Sequence, residues 1–425
     1  MNSQNILQQI NAEAKFIENS IGYQKTKIGT IPKDWKVKKL KDISNRVQRK
    51  NDGKSHNVLT ISSKGGFLNQ TERFSKVIAG ENLAKYILLR KNEFAYNKGN
   101  SKTYPYGCIY RLEDYEEALV PNVYYCFEIR EGVTEFYKHY FIAGKLNKFL
   151  ARVINTGVRN DGLLNLNVTD FFDVPVAAPP IKEQQKIASI LSTWDKAIEL
   201  KEKLIEQKKQ QKKGLMQKLL TGEVRLPGFE GKWRSLRILN FCNTYSGGTP
   251  SRTRKEFYEN GTIPWIKSGE LNSRKVTQTE EYITEKALAN STAKLVNPET
   301  ILLALYGATA GVVAMSKIRA SINQAILAIV PNDNCDNNFL FYYLENHMDK
   351  VTKKYTQGGQ PNLNADIVKK MVVKLPSIEE QKAIANILSN IDNNIELLEK
   401  ELNGLKQQKK GLMQLLLTGK VRVKV

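Results

Sequence analysis

Residues Pro179–Leu226 read PPIKEQQKIASILSTWDKAIELKEKLIEQKKQQKKGLMQKLLTGEVRL, and the same sentence returns without a gap 197 residues later, over Pro376–Val423. About 30 of the 48 aligned positions are identical, including the unbroken run Lys209–Gln217 against Lys406–Gln414. Solenoid repeats recur every 20–50 residues, so a period of nearly half the chain means something else. Two large modules are each followed by a common helical segment.

The repeated segment has the pattern of a long helix with an apolar seam. Steps of four and three through the second copy select Ile384, Leu388, Ile391, Ile395, Leu398, Leu402, Leu405, Lys409, Leu412 and Leu416, nine of them apolar. This is sustained over the several heptads that a coiled coil requires. The first copy gives Ile187, Leu191, Trp194, Ile198, Lys201, Ile205, Lys208, Lys212, Leu215 and Leu219, a weaker seam because of its three lysines. Pro179 and Pro376 suit helix starts, and Gly222 and Gly419 suit stops. Gly214 and Gly411 weaken the expectation of an unbroken helix. Some 40 residues at 1.5 Å rise give about 60 Å per helix. Mutual similarity and length favour pairing of the two helices with each other, antiparallel if the halves are related by a pseudo-two-fold axis. The other reading is two ordinary amphipathic surface helices.

The expected organisation is an N-terminal helical extension over 1–24, a first module over 25–178, a long helix over 179–222, a second module over 223–375 and a second long helix over 376–425. The extension would use Ile6, Ile10 and Phe16. Both modules open alike, on Trp35 and Trp233, and close alike, on Asn165–Leu166–Asn167 and Asn362–Leu363–Asn364. The apolar runs that follow, Val174–Pro180 and Met371–Pro376, read as strands. Further strands are expected at Asn57–Ser62, Glu93–Tyr96, Gly107–Arg111 and Val123–Ile129, with a helix near Glu135–Val153. In the second module they are expected at Thr300–Leu305, Val312–Met315 and Ala325–Val330, with a helix near Asn338–Tyr355. The fold class is mixed α/β, with an irregular sheet in each module.

The chain has 425 residues, 41% hydrophobic and 25% charged, enough for two or three domains with ordinary cores. Its 65 Lys and Arg against 43 Asp and Glu give a net charge of +22. That excess is the electrostatic footprint of a nucleic-acid partner, or of acidic protein partners. No 18-residue apolar run occurs, so no membrane span is expected, and residues 1–20 are too polar and acidic for a signal peptide. Cys108, Cys126, Cys242 and Cys335 are scattered, and His56, His139 and His347 form no ligand pattern. A disulfide frame or a metal site is not expected, and the location expected is a reducing cytoplasm.

The strings LPGFEGKW (Leu226–Trp233), SGGTPSR (Ser246–Arg252), GTIPWIKSGEL (Gly261–Leu271), YGATAGVV (Tyr306–Val313), INQAILAIVP (Ile322–Pro331) and KGLMQLLLTGKVR (Lys410–Arg422), in that order and within the duplication, resemble the specificity subunit of a type I restriction–modification system. The resemblance extends from about Gly29 onward. The first module lacks the G-G-T-P-S and I-P-W strings.

The resemblance implies a non-catalytic subunit with two target-recognition domains, each reading one half of a bipartite double-stranded DNA site. Two long helices forming an antiparallel coiled coil would set the spacer and dock two methyltransferase subunits. Two motor–nuclease subunits are optional further partners. This chain would hold no cofactor: S-adenosylmethionine belongs to the methyltransferase, ATP and Mg2+ to the motor–nuclease. The residues agree, with no G-x-x-x-x-G-K-[ST] or G-x-G-x-x-G loop. Nor is there an amino-methyltransferase string, since Ala178–Pro179–Pro180–Ile181 fails at both ends.

Three strings carry rival readings. Ser246–Pro250 is a phosphate cradle or a tight turn. Asp366, Glu380 and Lys382 mimic a nuclease, but Glu379 and Glu380 fall in a helix's first turn, where acids suit the dipole. The runs Lys208–Lys213 and Lys406–Lys410 are a DNA grip, a solvated face or a docking surface. Base readout needs polar side chains that reach base edges. In the second module the candidates are Arg252, Arg254, Lys267, Ser268, Arg274, Tyr306 and Gln357, with Gln360 and Asn362 either contacting DNA or capping the return to the helix. In the first they are Lys64, Lys98, Asn100, Ser101, Lys102, Arg159 and Asn160, with Tyr96, Tyr104 and Tyr106 as core or rim aromatics. The alternatives are a self-contained DNA-modifying or DNA-cleaving enzyme, a coiled-coil scaffold for acidic partners, or an RNA-binding protein, which would need a stacking sheet not visible here.

Overall fold

The computed structural model describes residues 22–62, 66–70, 83–99, 104–154, 163–357, 360–361 and 363–425. The expected helix at the N-terminus lies outside them. The chain divides into two compact units, Met1–Lys201 with Glu401–Val425, and Glu202–Lys400. The division falls inside the two long helices. The first described strand, Tyr23–Thr26, pairs antiparallel with Gly29–Pro32.

The repeats form helices α1 (Ile181–Leu219) and α2 (Ile378–Leu416), each 39 residues long. Both run unbroken through Gly214 and Gly411. A glycine costs a helix interior about 1 kcal/mol, and here buried Met216, Leu219, Leu412 and Met413 flank it. Gly222 and Gly419, at φ 75° and 67°, close the two helices. Every apolar seam position is buried or half-buried.

In the first unit, Ile187, Leu191 and Trp194 of α1 share a core with Leu412, Met413 and Leu416 of α2. In the second, Leu219 and Met216 share one with Ile384 and Leu388. The ion pairs give the direction. Lys201 meets Glu401 at 2.8 Å and Asp195 meets Lys409; in the second unit Lys209 meets Glu399 at 2.6 Å and Lys212 meets Asp392 at 2.8 Å. As one helix advances the other retreats, so within each unit the segments pack antiparallel.

Each module hangs on a two-stranded ribbon that joins its opening to its closing. Lys36–Lys39 pairs antiparallel with Pro175–Ala178, and Arg234–Arg237 with Val372–Leu375. The first module then builds a sheet from Ser44–Val47, Tyr125–Ile129, Phe94–Asn97 and Cys108–Arg111, and a second that contains Asn57–Ser62. The second module has a five-stranded sheet centred on Ile301–Ala304 and Ile326–Pro331, and a four-stranded one containing Ile263–Ile266. Parallel and antiparallel neighbours mix in both units. The expected strands appear within a residue or two. The helix expected near Glu135–Val153 is instead two, Thr134–Ile142 and Asn147–Val153, and Asn337–Lys354 is continuous. No described helix is long and apolar enough to cross a membrane.

The two copies of the repeated sentence close each other's units. Arg422, beyond the end of α2, bonds the carboxylate of Glu183 at the start of α1 with Nε and Nη2, at 2.7 and 2.8 Å. Arg225, beyond the end of α1, bonds Glu380 at the start of α2 through the same atoms, at 2.7 and 2.8 Å. Both glutamates are 1% exposed. Trp35 adds an indole N–H to Glu183 at 2.8 Å. Trp233 lies under the Arg225 guanidinium, 5.6 Å from ring centre to Cζ, and its Nε1 has no hydrogen-bond partner among the described residues. The next residues repeat the pattern: Gln184 accepts from the Val133 amide and Gln381 from the Asp336 amide, each at 2.8 Å.

A second pair of groups ties each module to the helices. Asp392 is bound by Lys212, Arg274 and the Tyr342 hydroxyl. Its counterpart Asp195 is bound by Lys409 and lies 3.6 Å from His139 Nδ1. His139 is fully buried, also facing Glu135, Lys138 and Ser192, and burial lowers its pKa to about 4.

Two outcomes follow for stability. Removing one partner of a buried ion pair costs about 3–5 kcal/mol, so Glu183→Ala should destabilise the protein by about that much in urea unfolding. The Glu183→Ala/Arg422→Ala double variant should lose less than the two singles summed; strict additivity would mean the pair is not coupled. For His139, an unfolded imidazole gains its proton near pH 6.5 and the folded one only near pH 4. Acid therefore favours the unfolded chain. Stability contributed by neutral His139 should fall by up to about 3 kcal/mol as pH drops from about 6.5 to 4. The stability gap between parent and His139→Gln should shrink over that window, and a gap independent of pH would rule the titration out.

Candidate nucleic-acid interface

In the second unit the ends of several strands bring four polar segments together. The loop after Cys242–Ser246 contains Gly247 and Gly248. A β-carbon on Gly247 would stand 1.8 Å from the Ile322 carbonyl oxygen, and one on Gly248 2.1 Å from Thr292 Oγ1. The Gly248 amide donates to that Ile322 carbonyl at 3.0 Å. Ser246–Pro250 is thus a tightly packed turn, with this amide engaged inside the protein rather than offered to a phosphate. Thr249 bonds the exposed side chain of Gln324. The neighbouring Ala325 carbonyl receives the Leu305 amide, and the Leu305 carbonyl receives the Leu363 amide, both at 2.8 Å. Hydrogen bonds therefore link the Gly247–Pro250 turn, Gln324 and Ala325, Leu305 before the Tyr306 loop, and Leu363, which follows the hairpin of Thr356–Gln357 with Gln360–Pro361 in the chain.

Beside this turn Trp265 donates its indole N–H to the Gly248 carbonyl at 3.2 Å, and Tyr258 its hydroxyl to Pro250 at 2.6 Å. Arg252 lies over both rings, 4.5 Å from the Tyr258 centre and 5.0 Å from that of Trp265. Glu281 holds Arg252 at 2.7 Å and Lys267 at 2.8 Å. Hydrogen bonds from Arg252, then Lys267, keep its carboxyl below the ordinary glutamate range.

The other candidates divide. Arg254 stacks on Phe257, Ser268 opens the short helix Ser268–Ser273, and Tyr306 is exposed. Arg274 is committed elsewhere. At φ 62° it bonds Glu345 at 2.9 Å and Asp392 at 2.7 Å, over the rings of Phe341 and Tyr342. It anchors the module to α2. Glu380 is likewise buried against Arg225, so it forms no nuclease centre with Asp366 and Lys382. In the lysine runs, Lys209, Lys212 and Lys409 serve the helix pairing.

In the first unit Lys98 stands 4.7 Å from the Tyr125 ring centre and donates to its hydroxyl at 3.3 Å. Its carbonyl receives the amide of Leu164, the residue before the Asn-Leu-Asn string, at 2.9 Å; in the second unit the corresponding bond is made by Leu363 inside that string. Tyr96 is core, and Tyr104 and Tyr106 are half-buried. Lys64, Asn100, Ser101, Lys102, Arg159, Asn160 and Asn362 lie outside the described residues. Asp52, His56 and Glu117, not grouped by the sequence, come within 4.8 Å of one another. His56 is bonded to Asp52 and Glu117 to Arg90. Sequence reading also missed Glu281 and Gln324. Gln324 lies inside the quoted INQAILAIVP string, whereas no spacing links Glu281 to Arg252.

The comparisons bear on the whole chain. It matches the model of the type I restriction modification DNA specificity domain twice, over residues 32–210 and 230–407. A Methanocaldococcus jannaschii chain provisionally named the type I restriction enzyme MjaX specificity subunit is 28% identical over 431 residues, covering 95% of this chain and 97% of that one. The type I restriction enzyme MjaVIII specificity subunit of the same organism is 30% identical over 294 residues, 64% of this chain and 68% of its own. The crystal structure of a type I restriction–modification S subunit from M. genitalium shares the fold, with a TM-score of 0.57 at 14% identity over 96% of this chain and 98% of that one. With one match on each module and its helix, the chain belongs to the type I restriction–modification DNA specificity family.

Proposed function

We propose that the two DNA-recognition domains of this type I specificity subunit each read one half of a bipartite double-stranded site. The modules over 25–178 and 223–375 are the readers. The paired helices hold the gap between half-sites and dock two methyltransferase subunits, which two motor–nuclease subunits can join. The chemistry belongs to those partners, S-adenosylmethionine with the methyltransferase and ATP with Mg2+ in the motor–nuclease, in the cytoplasm.

The observation that carries the reading is a shared frame with unlike contents. The ribbons, the tryptophans and the buried Glu–Arg pairs recur in both units. The polar segments do not: Arg252, Glu281 and Gln324 face no counterpart among the described residues of the first module, where Lys98 rests on Tyr125. Conserved support with divergent side chains suits two readers of different sequences. The net charge of +22 suits the duplex backbone.

Two measurements test this. The chain assembled with its methyltransferase subunits should bind the full site on the order of 100-fold more tightly than a half-site, because the second engagement is intramolecular. Its log–log salt slope should steepen by about 0.9 for each phosphate neutralised. Equal affinity for site and half-site would count against split reading. Exchange of Trp35–Ala178 for the same segment of a relative should change one half of the methylated motif and leave the other. A change in both halves in genome-wide methylation mapping would show that the modules do not read independently.

A further inference from the structure

Among the basic side chains considered for DNA contact in the second module, Arg252 alone is both exposed and fixed. Arg274 is held by two acids, Lys267 is largely covered between Glu280 and Glu281, and Arg254 has a ring contact but no ion pair among the described residues. The Arg252 side chain is 53% exposed, yet its guanidinium rests on two aromatic rings and one amine is 2.7 Å from Glu281. Nε and the second amine make no hydrogen bond to any described residue.

Ordering a long side chain on binding costs rotamer freedom. Here the rings and the carboxylate have ordered it beforehand. A phosphate contact tolerates many orientations, whereas a guanine edge offers O6 and N7 to a fork of fixed orientation. The Glu281 carboxylate would repel DNA if it stood alone, but it is shared by two cations; with Glu280 also 3.5 Å from Lys267 the cluster of two cations and two carboxylates is balanced, so what Arg252 offers is the orientation of its fork rather than excess charge. The platform is continuous with the Gly247–Pro250 turn, since Trp265 bonds the Gly248 carbonyl next to the Thr249–Gln324 pair.

We propose that Arg252 reads a guanine in the half-site of the second module, and that Glu281 is the residue that positions it. This rests on the reading of the modules as DNA-recognition domains. Glu281 touches no base; it fixes the plane of the fork while Lys267 offsets its charge.

The test uses the full chain assembled with its methyltransferase subunits. Parent, Arg252→Lys and Glu281→Gln are compared by genome-wide methylation mapping and by binding to sites carrying each base at every position. Arg252→Lys keeps the charge and loses the fork. It should relax discrimination about 5- to 150-fold at one guanine position, in one half-site, with an unchanged salt slope. Glu281→Gln should relax the same position more weakly. Matched thermal unfolding of the three proteins establishes that folding is intact; if Glu281→Gln unfolds early, Glu281→Asp replaces it and should retain discrimination. A uniform loss of affinity for all bases would make Arg252 a phosphate contact and overturn the proposal, as would no change. Relaxation in Arg252→Lys with none in Glu281→Gln would remove Glu281 from the mechanism. A parent without a bipartite motif would instead defeat the reading of the modules, a result visible before any variant is made.

Discussion

A carboxylate at the start of each long helix is taken almost entirely out of water, and an arginine from the other repeat is what makes its burial tolerable. Glu183 and Glu380 are each 1% exposed, and each receives two parallel hydrogen bonds, from Arg422 and Arg225. A buried charge without such a partner would cost several kcal/mol. The bridge therefore requires that the tail of one helix return to the head of the other. The rest of each unit is arranged around it. Trp35 packs and bonds onto Glu183, the adjacent glutamine holds a module amide, and the ribbon that closes the module leads directly into the same helix turn.

The modules meet this frame at one more point, and there they differ. The helix pair presents the same lysine and aspartate in both units, Lys409 with Asp195 and Lys212 with Asp392. The second module answers with a permanently charged Arg274, supported by Glu345 and Tyr342. The first answers with His139, which burial holds neutral. The same aspartate position thus meets a charged arginine in one module and a neutral histidine in the other.

Much of this was legible in the chain. The gapless repeat, its seam from Ile384 to Leu416 and the paired openings at Trp35 and Trp233 are local signals with a fixed period, and helices, ribbons and most strands follow them. Gly214 and Gly411 mislead because local propensity is overridden by packing on either side. Arg274 misleads for a related reason: a loop arginine looks available until Asp392, 118 residues away, claims it. The Arg252–Glu281 contact was invisible on the same grounds. Such pairs are made by the meeting of distant strands, and neither charge nor spacing along the chain encodes them.

Each unit is completed by a segment from the opposite repeat, and the two segments are nearly the same sequence. Chemically, then, the molecule is a partnership of two half-chains written as one polypeptide. Half-chains would have to find each other at a rate and occupancy set by their abundance. Joined, they meet at an effective concentration set by the connection, so closure of the frame is insensitive to dilution. The junction also lifts a restriction of self-association. Two identical half-chains would carry identical recognition domains, whereas one continuous chain lets each domain drift on its own.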